Sequence, residues 1–559
     1  MLRTLFLLLS VCLISTVSAK DLKQAAVATA HPLATEAGKK VLQQGGNAFD
    51  AAVAITAALA VVEPYGSGIG GGGFWLIRRP NDNTAIMVDG RETAPKRAHR
   101  DMYLDKNKEV IKGASLNGPL AAGIPGIVAG MEYLSNTYGN LPLSESLKPA
   151  ITYAETGFAV TERYQKLIGF RKSVMQQYPE TSKIFLADND TPPLRHNIIQ
   201  TDLANTLKQI SQHGAKGFYT GPVARKLVAA GREAGGIWDL HDLETYKIKI
   251  RKPIEFMYHD IKVTSAAPPS SGGIVLAQAL KILEHFDLSQ YDEITRKHIV
   301  IEAMRRAYRD RAGYLGDPDF VDIPLSRLLD PIYIEALALT IKENQASSSL
   351  EMGAYPRGHE PVGTNTTHFS VMDKDGNRVS ATLSINLPFG SGFVASGTGV
   401  LFNNEMDDFA IKANTPNAYG LIGNHANEVK AGKRPLSSMS PTFLEMDDRI
   451  GILGTPGGSR IISMVLLGIL DFAENRLPES WVSVPRYHHQ FFPDKVQYEQ
   501  GGLTVAEINQ LKAKGHTLDE KTRRYGNMQA ILYWKEKDLM YAASDPRGEG
   551  TAEVFIQKK

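Results

Sequence analysis

Thr366, Thr367, His368 and Ser370 fall within one five-residue run, directly after Asn365. A threonine hydroxyl is a poor nucleophile unless a base takes its proton, and no His–Asp relay is evident beside this run. Breaking the Asn365–Thr366 bond would supply a base, because Thr366 would then carry its own α-amine. Such an amine titrates near pKa ~7.8, against ~10.4 for lysine, so much of it is neutral at physiological pH. It can accept the hydroxyl proton directly or through a water, which makes a terminal threonine a self-contained nucleophile.

The run must sit on an element that holds it still, and the following residues suggest a hairpin. A two-residue Asp375-Gly376 loop would set Phe369 against Thr382, mixing polar with apolar. A three-residue loop, Lys374-Asp375-Gly376, puts glycine at the left-handed position of a type I turn with a bulge. It pairs Phe369 with Ala381, Val371 with Val379 and Thr367 with Leu383, so one face is consistently apolar. The other face carries Thr366, His368 and Ser370 opposite Ser384, Thr382 and Ser380, with Asn386 two residues beyond Ser384. On the hairpin alone, a polar strand face bonded to its neighbours remains the commoner fate of such residues.

Other stretches resemble functional motifs less well. "GSGIGG" (66–71) has dinucleotide-fingerprint spacing, but a helical pattern precedes it and a strand pattern follows, the reverse of what that fingerprint needs. A close-packed glycine loop is the better reading. "DKDGN" opens like a calcium loop but has Arg378 and Ser384 where glycine and glutamate belong. His488 and His489 are adjacent, and on a strand would point to opposite faces. There is no HExxH, paired CxxC or G-x-S-x-G elbow. The sequons at Asn189 and Asn365 are short enough to arise by chance.

Around these residues the chain reads as one α/β or α+β body. Residues 35–64 suggest two helices about "QQGGNAFDAA", with a strand from Phe74. Helical patterns dominate 120–235 and 272–315, and β-rich hairpins follow from about 366: "THFSVMD", "RVSATLSI", "RIGILGT" and "MQAILYW". At 559 residues and 43% hydrophobic composition the chain can bury a large core. Lys plus Arg number 62 against 60 Asp plus Glu, with no basic stripe, which argues against nucleic acid. Arg3, the apolar run that follows and "VSA" before residue 20 read as a secretory signal peptide cleaved after Ala19. Cys12, the only cysteine, lies inside it, so the mature chain would have no thiol and no disulfide. "LSVC" is a poor match to a lipoprotein acylation site. No later apolar stretch has membrane-spanning length.

Six motifs in order, "YGSGIGGGGF", "DGRETAP", "NTTHFSVMDKDGN", "NNEMDDF", "KRPLSSMSPT" and "TPGGSRII", together resemble the γ-glutamyltransferase (γ-glutamyltranspeptidase) family, over essentially the whole mature chain. The resemblance implies an N-terminal nucleophile hydrolase with a four-layer αββα sandwich. It also implies self-cleavage into a large subunit, 20–365, and a small one, 366–559, that stay together as a heterodimer. Position by position, Thr366 resembles the nucleophile, and Ser384 the residue that hydrogen-bonds it. Asn386, Glu405 and Asp408 resemble the α-ammonium site, and Arg91, Ser437 and Ser438 the α-carboxylate site. Gly457 and Gly458 match the oxyanion hole, and Tyr419, in "NTPNAYGLIG" (414–423), a gating side chain on a lid.

The implied activity is a periplasmic or secreted γ-glutamyltransferase. It would act on glutathione and other γ-glutamyl donors, with water, amino acids or dipeptides as acceptors and no cofactor or metal. The chemistry suits these residues: arginine and serines can donate to a carboxylate, acids attract an ammonium, and consecutive glycines bare main-chain N–H groups. A glutaryl-cephalosporin acylase would share the nucleophile without needing Asp408 and Asn386. A non-catalytic amino-acid-binding relative would keep Arg91 and Asp408 without processing itself.

Overall fold

The computed structural model describes residues 24–82, 84–353, 366–412, 416–421, 423 and 425–558. The expected signal peptide and residue Asn365 lie outside the described residues. No helix among the described residues is long and apolar enough to cross a membrane.

The expected hairpin forms with the expected register. Strand Thr367–Met372 pairs antiparallel with Arg378–Ser384, placing Phe369 opposite Ala381, Val371 opposite Val379 and Thr367 opposite Leu383. Gly376 takes φ 81°, and Asp373 closes the turn by accepting from Gly376 N, Asp375 N and Asn377 N. Because strand side chains alternate, this register sends the apolar set to one face and the polar set to the other.

That hairpin lies inside a sheet which, among the described residues, runs in the order Thr551–Ile556, Gln24–Thr29, Thr367–Met372, Arg378–Ser384, Gly72–Arg78, Ile86–Asp89, Lys249–Arg251. A second antiparallel sheet stacks on it, ordered Leu539–Ser544, Gln529–Trp534, Arg449–Gly454, Thr442–Glu445, Ile261–Ser265, Ile254–Tyr258. On the first sheet, Phe369, Val371, Val379 and Ala381 share a core with helices Ala48–Val62 and Leu143–Thr156. Helices Gly272–Leu283, Glu293–Tyr314 and Ile461–Ala473 cover the second sheet. The result is a four-layer αββα sandwich.

The helix Ala48–Val62 shows why the outer layer is stable. All fifteen residues are buried, as an all-round apolar helix requires. Asn47 caps it by accepting from Phe49 N and Asp50 N, while Asp50 accepts from Asn47 N in return. The glycine loop after this helix is close-packed, as expected. A Cβ on Gly71 would lie 2.1 Å from Ser384 O, so only glycine lets this loop approach the end of the hairpin strand.

The polar face of the hairpin is buried between the sheets rather than solvated, and its groups bond across the gap. Ser370 Oγ donates to Gln529 O at 3.1 Å and Ser380 Oγ to Leu453 O at 3.2 Å. His368 sits 2.8 Å from Thr382 Oγ1, and burial pushes its imidazole down to about 3, so it is neutral and structural. These bonds offset the cost of burying polar groups.

Candidate active site

Thr366 immediately precedes the central strand Thr367–Met372 and is 4% exposed. It opens onto a narrow cavity shared with Ser384, Asn386, Glu405, Asp408 and Tyr419 from the following segments. Ser437, Ser438 and Gly458 line the same cavity. Nine of the eleven residues singled out from sequence are thus gathered in one place; Arg91 and Gly457 adjoin it without lining it. Ser384 follows Leu383, the ladder partner of Thr367, and its Oγ accepts from Asn386 N at 2.7 Å.

One part of the cavity is acidic. The short turn Glu405–Asp408 is held by Asn403, whose Oδ1 accepts from Glu405 N, and by Asn404, whose carbonyl accepts from Asn386 Nδ2 at 2.8 Å. Asn386, at φ 72°, turns its amide oxygen to a place where no described residue donates to it. No described residue donates to Glu405 Oε2 within hydrogen-bond geometry either, although the nearby Ser384 hydroxyl favours the charged carboxylate. Two buried acceptors without donors in one cavity describe the complement of a cationic N–H group, because unpaired buried acceptors are costly. Burial pushes the Glu405 carboxyl up against the opposing pull of Arg91, and Asp408 is raised for the same reason.

Arg91 explains how two acids are tolerated there. Its guanidinium donates to Glu405, and to Asp408 Oδ2 at 2.6 Å, while Nε donates to Pro435 O at 3.2 Å. Asp89 Oδ1 accepts from Arg91 N, and Tyr246 OH donates to Arg91 O, fixing its backbone. The side chain is fully buried, with its donors taken by protein groups.

Another part of the cavity is rich in donors. Ser437 and Ser438 lie in the segment just before strand Thr442–Glu445. Ser437 O accepts from Ser271 N and Ser271 Oγ, at 2.8 and 2.7 Å. Gly457 at φ 147° and Gly458 at φ 60° turn the chain into the helix beginning at Ile461, conformations that favour glycine. No hydrogen bond to another described residue uses either N–H. The Tyr419 ring packs on Gly458, and its hydroxyl donates to Asn386 O at 2.9 Å. Asp407 Oδ2 accepts from Ala418 N at 2.9 Å, and Asn417 Nδ2 donates to Asp408 Oδ1 at 3.3 Å, so the acidic turn also anchors the segment carrying Tyr419.

Sequence reasoning missed Arg311. It lines the cavity from helix Glu293–Tyr314 and donates to Ser438 Oγ at 3.2 Å. In "RRAYRDRAGY" it is one charge among several, and only its burial sets it apart. The adjacent histidines are separately engaged, His488 with Ser463 and Gln490, His489 with Asp494. His298, Glu302 and His516 form a buried cluster with metal-compatible spacing. There, however, His298 Nδ1 lies 2.7 Å from His516 Nε2, and Arg305 and Arg306 already hold Glu302.

The gamma-glutamyltranspeptidase family matches residues 34–555 of the chain. A glutathione hydrolase proenzyme from Pseudomonas sp. (strain A14) is 42% identical over 536 residues, spanning 93% of this chain and 92% of the relative. The glutathione hydrolase proenzyme of Escherichia coli (strain K12) is 40% identical over 531 residues, spanning 94% and 90%. Among solved structures, a cephalosporin acylase from Bacillus halodurans superposes with TM-score 0.83 at 28% identity, covering 95% of this chain and 96% of that one.

Proposed function

Because the chain belongs to the gamma-glutamyltranspeptidase family, we infer that it is a self-processing γ-glutamyltransferase that hydrolyses glutathione and related γ-glutamyl compounds. The observation that carries this reading is the meeting of Thr366 with Asn386, Glu405 and Asp408 in one cavity. A nucleophile there faces acceptors for an ammonium group, which a γ-glutamyl donor has and a glutaryl donor lacks. This feature favours the glutathione hydrolase reading over that of an acylase, and the identities run the same way.

Maturation begins when Thr366 Oγ attacks the carbonyl carbon of Asn365. The peptide C–N bond breaks as an ester forms, and the nitrogen becomes the Thr366 α-amine. Water hydrolyses the ester, leaving a carboxylate on Asn365 and the free nucleophile. The large subunit, 20–365, and the small one, 366–559, remain together as a heterodimer because both segments contribute hydrogen-bonded strands to each of the two sheets.

In turnover, the Thr366 α-amine takes the hydroxyl proton as Oγ attacks the donor γ-carbonyl. The negative charge formed on the carbonyl oxygen meets the Gly457 and Gly458 N–H groups. Collapse breaks the donor's C–N bond, the Thr366 α-ammonium gives its proton to the leaving amine, and a γ-glutamyl ester remains on Thr366. Ser384 orients the nucleophile. Glu405, Asp408 and Asn386 hold the α-ammonium, and Ser437 and Ser438 the α-carboxylate, with Arg91 balancing the acids. Water then yields glutamate, or the amine of an amino acid or dipeptide yields a new γ-glutamyl compound. Tyr419 covers the oxyanion glycines. The N-terminal signal directs the chain to the periplasm or outside the cell.

The test is direct. The purified protein should show a second N-terminus, Thr-Thr-His-Phe-Ser, and release nitroaniline from γ-glutamyl 4-nitroanilide, faster with glycylglycine. Thr366→Ala should stay one chain and release none. Cleavage of the alanine variant at this bond, or an inert wild-type protein, would overturn the reading.

A further inference from the structure

A second, wider cavity opens at the start of helix Glu162–Met175. Pro456, which immediately precedes Gly457, forms part of its wall. The loop carrying Arg523 and Arg524 is tied to the same stretch, since Asn527 N donates to Thr455 Oγ1 at 3.2 Å. Arg486 donates to Tyr525 O and pairs with Asp545, whose other oxygen accepts from Arg547 N at 2.9 Å. Thr161 Oγ1 caps the helix by accepting from Tyr164 N, and donates to Glu549 Oε1 at 2.8 Å. Four segments far apart in the chain are thus locked around one opening.

The lining is cationic: Arg163, Lys166, Arg523, Arg524 and Arg547 face Glu162 and Glu549. Part of that charge is already engaged. Arg547 pairs with Glu499 and Asp545, and Arg524 lies 3.9 Å from Glu499. Glu549 accepts from the hydroxyls of Thr161 and Tyr65. Glu63 stands behind Arg163 and beside Thr367, where burial pushes its carboxyl up to about 7, so it offsets Arg163 only in part. With Glu63, Glu499, Asp545 and Arg486 behind the wall all included, the cluster still carries excess positive charge. No carboxylate among the described residues lies within salt-bridge distance of Arg163 or Lys166, and Arg163 Nε is buried without an acceptor. Arg523 lies over the Phe170 ring at 5.3 Å, and burial together with Arg163 lowers its guanidinium. Like charges gathered about a cavity draw an anion into it, and the helix N-terminus adds to that preference.

We propose that this cavity receives the carboxylate of the amine half of the reaction, first on the leaving group and then on the acceptor. The protein then favours amines with an anionic end, such as peptides with a free C-terminus. The assignment rests on the donor reading above. The two cavities lie along one short stretch, with Gly458 lining the narrow one and Pro456 the cationic one. The γ-glutamyl head occupies the first under Tyr419, and the nitrogen side of the scissile bond extends past Gly457 toward Arg163 and Lys166.

Arg163→Gln, Lys166→Gln and Lys166→Glu would be compared with the unaltered protein, using γ-glutamyl 4-nitroanilide as donor and either glycylglycine or glycylglycinamide as acceptor. The two acceptors differ in the C-terminal carboxylate. In the unaltered protein KM for glycylglycine should be the lower by about ten-fold, and about 0.5 M salt should narrow the gap by screening. Each glutamine variant should shrink the ratio of the two KM values by about three-fold, and Lys166→Glu should shrink it further, while kcat moves less. Subunit formation on a gel reports folding, and because Lys166 is exposed its variants decide if Arg163→Gln does not mature. Hydrolysis of γ-glutamyl 3-carboxy-4-nitroanilide against γ-glutamyl 4-nitroanilide reads the same preference on the leaving group, and decides if neither acceptor is used. Equal KM values within these pairs in the unaltered protein, or a preference that survives all three variants, would overturn the assignment. An unaltered protein inert on both anilides would instead sink the donor reading itself.

Discussion

Asp408 Oδ2 accepts a 2.6 Å hydrogen bond from Arg91 Nη2, while its other oxygen accepts from Asn417, two residues before Tyr419. One carboxylate therefore joins a buried arginine far earlier in the chain to the stretch that covers Gly458. A donor ammonium arriving at Asp408 would compete for an acid that already has two protein partners. On the proposed reading, recognition of the α-amine and seating of Tyr419 would be coupled through this carboxylate.

Asp408→Asn should lose most activity on γ-glutamyl anilide while still cleaving itself, since maturation involves no substrate amine. Truncating one partner of a buried charge pair costs roughly 2–5 kcal/mol, or about thirty-fold to several-thousand-fold. Glutaryl anilide, which lacks the α-amine, should lose much less. Measuring kcat/KM for both anilides decides this, and equal proportional losses would mean that Asp408 supports the fold or the nucleophile.

Gly458→Ala should depress kcat. A Cβ at Gly458 would sit 2.3 Å from Tyr419 Cδ1, on a backbone at φ 60° that non-glycine residues rarely adopt. If the ring clash is the main fault, Gly458→Ala combined with Tyr419→Ala should recover part of the loss, a non-additivity expected of residues in contact. A double variant that simply sums the two single losses would place the fault in the backbone instead.

Arg91→Lys keeps a charge but cannot donate as a fork to Glu405 and Asp408. Arg91→Gln removes the charge between two buried acids and should destabilise the protein by about 3–5 kcal/mol. The lysine variant should process normally, with a lower Tm and a raised KM for γ-glutamyl donors. A Tm and KM both unchanged would show that the acids do not depend on Arg91.

The parts of this arrangement legible in sequence were those fixed by short-range rules. A glycine at the left-handed turn position, with strand alternation, set the hairpin register from Phe369–Ala381 to Val371–Val379. Its polar face gave no sign that it would be buried against a second sheet, because Ser370–Gln529 and Ser380–Leu453 bonds join segments far apart in the chain. Motif resemblance gathered nine of the cavity residues but could not show that Arg91 is bound to Glu405 and Asp408. Arg311 was invisible for a related reason: an arginine-rich helix reads as a solvated face until its burial is known.

The remaining prediction concerns pH, and it separates two groups that titrate close together. Burial, opposed by Arg91, pushes the Glu405 carboxyl up to about 7. A raised carboxyl is neutral below that value and charged above it, so the attraction for a donor ammonium is present at high pH and fades as pH falls. KM for γ-glutamyl anilide should therefore drop as pH rises through about 7 and then level. The Thr366 α-amine, near ~7.8 in an unperturbed terminus, must be neutral to accept a proton, so it acts on kcat, which should also rise with pH. Glu405→Gln removes one titration and leaves the other. Its KM should match the unaltered protein at pH 5.5, exceed it at pH 8 and vary little between, while the kcat profile keeps its shape. Steady-state rates across that range measure both. A KM profile that keeps its limb in the glutamine variant would assign the titration to another group, and Glu405 would then have no charge role in holding the donor.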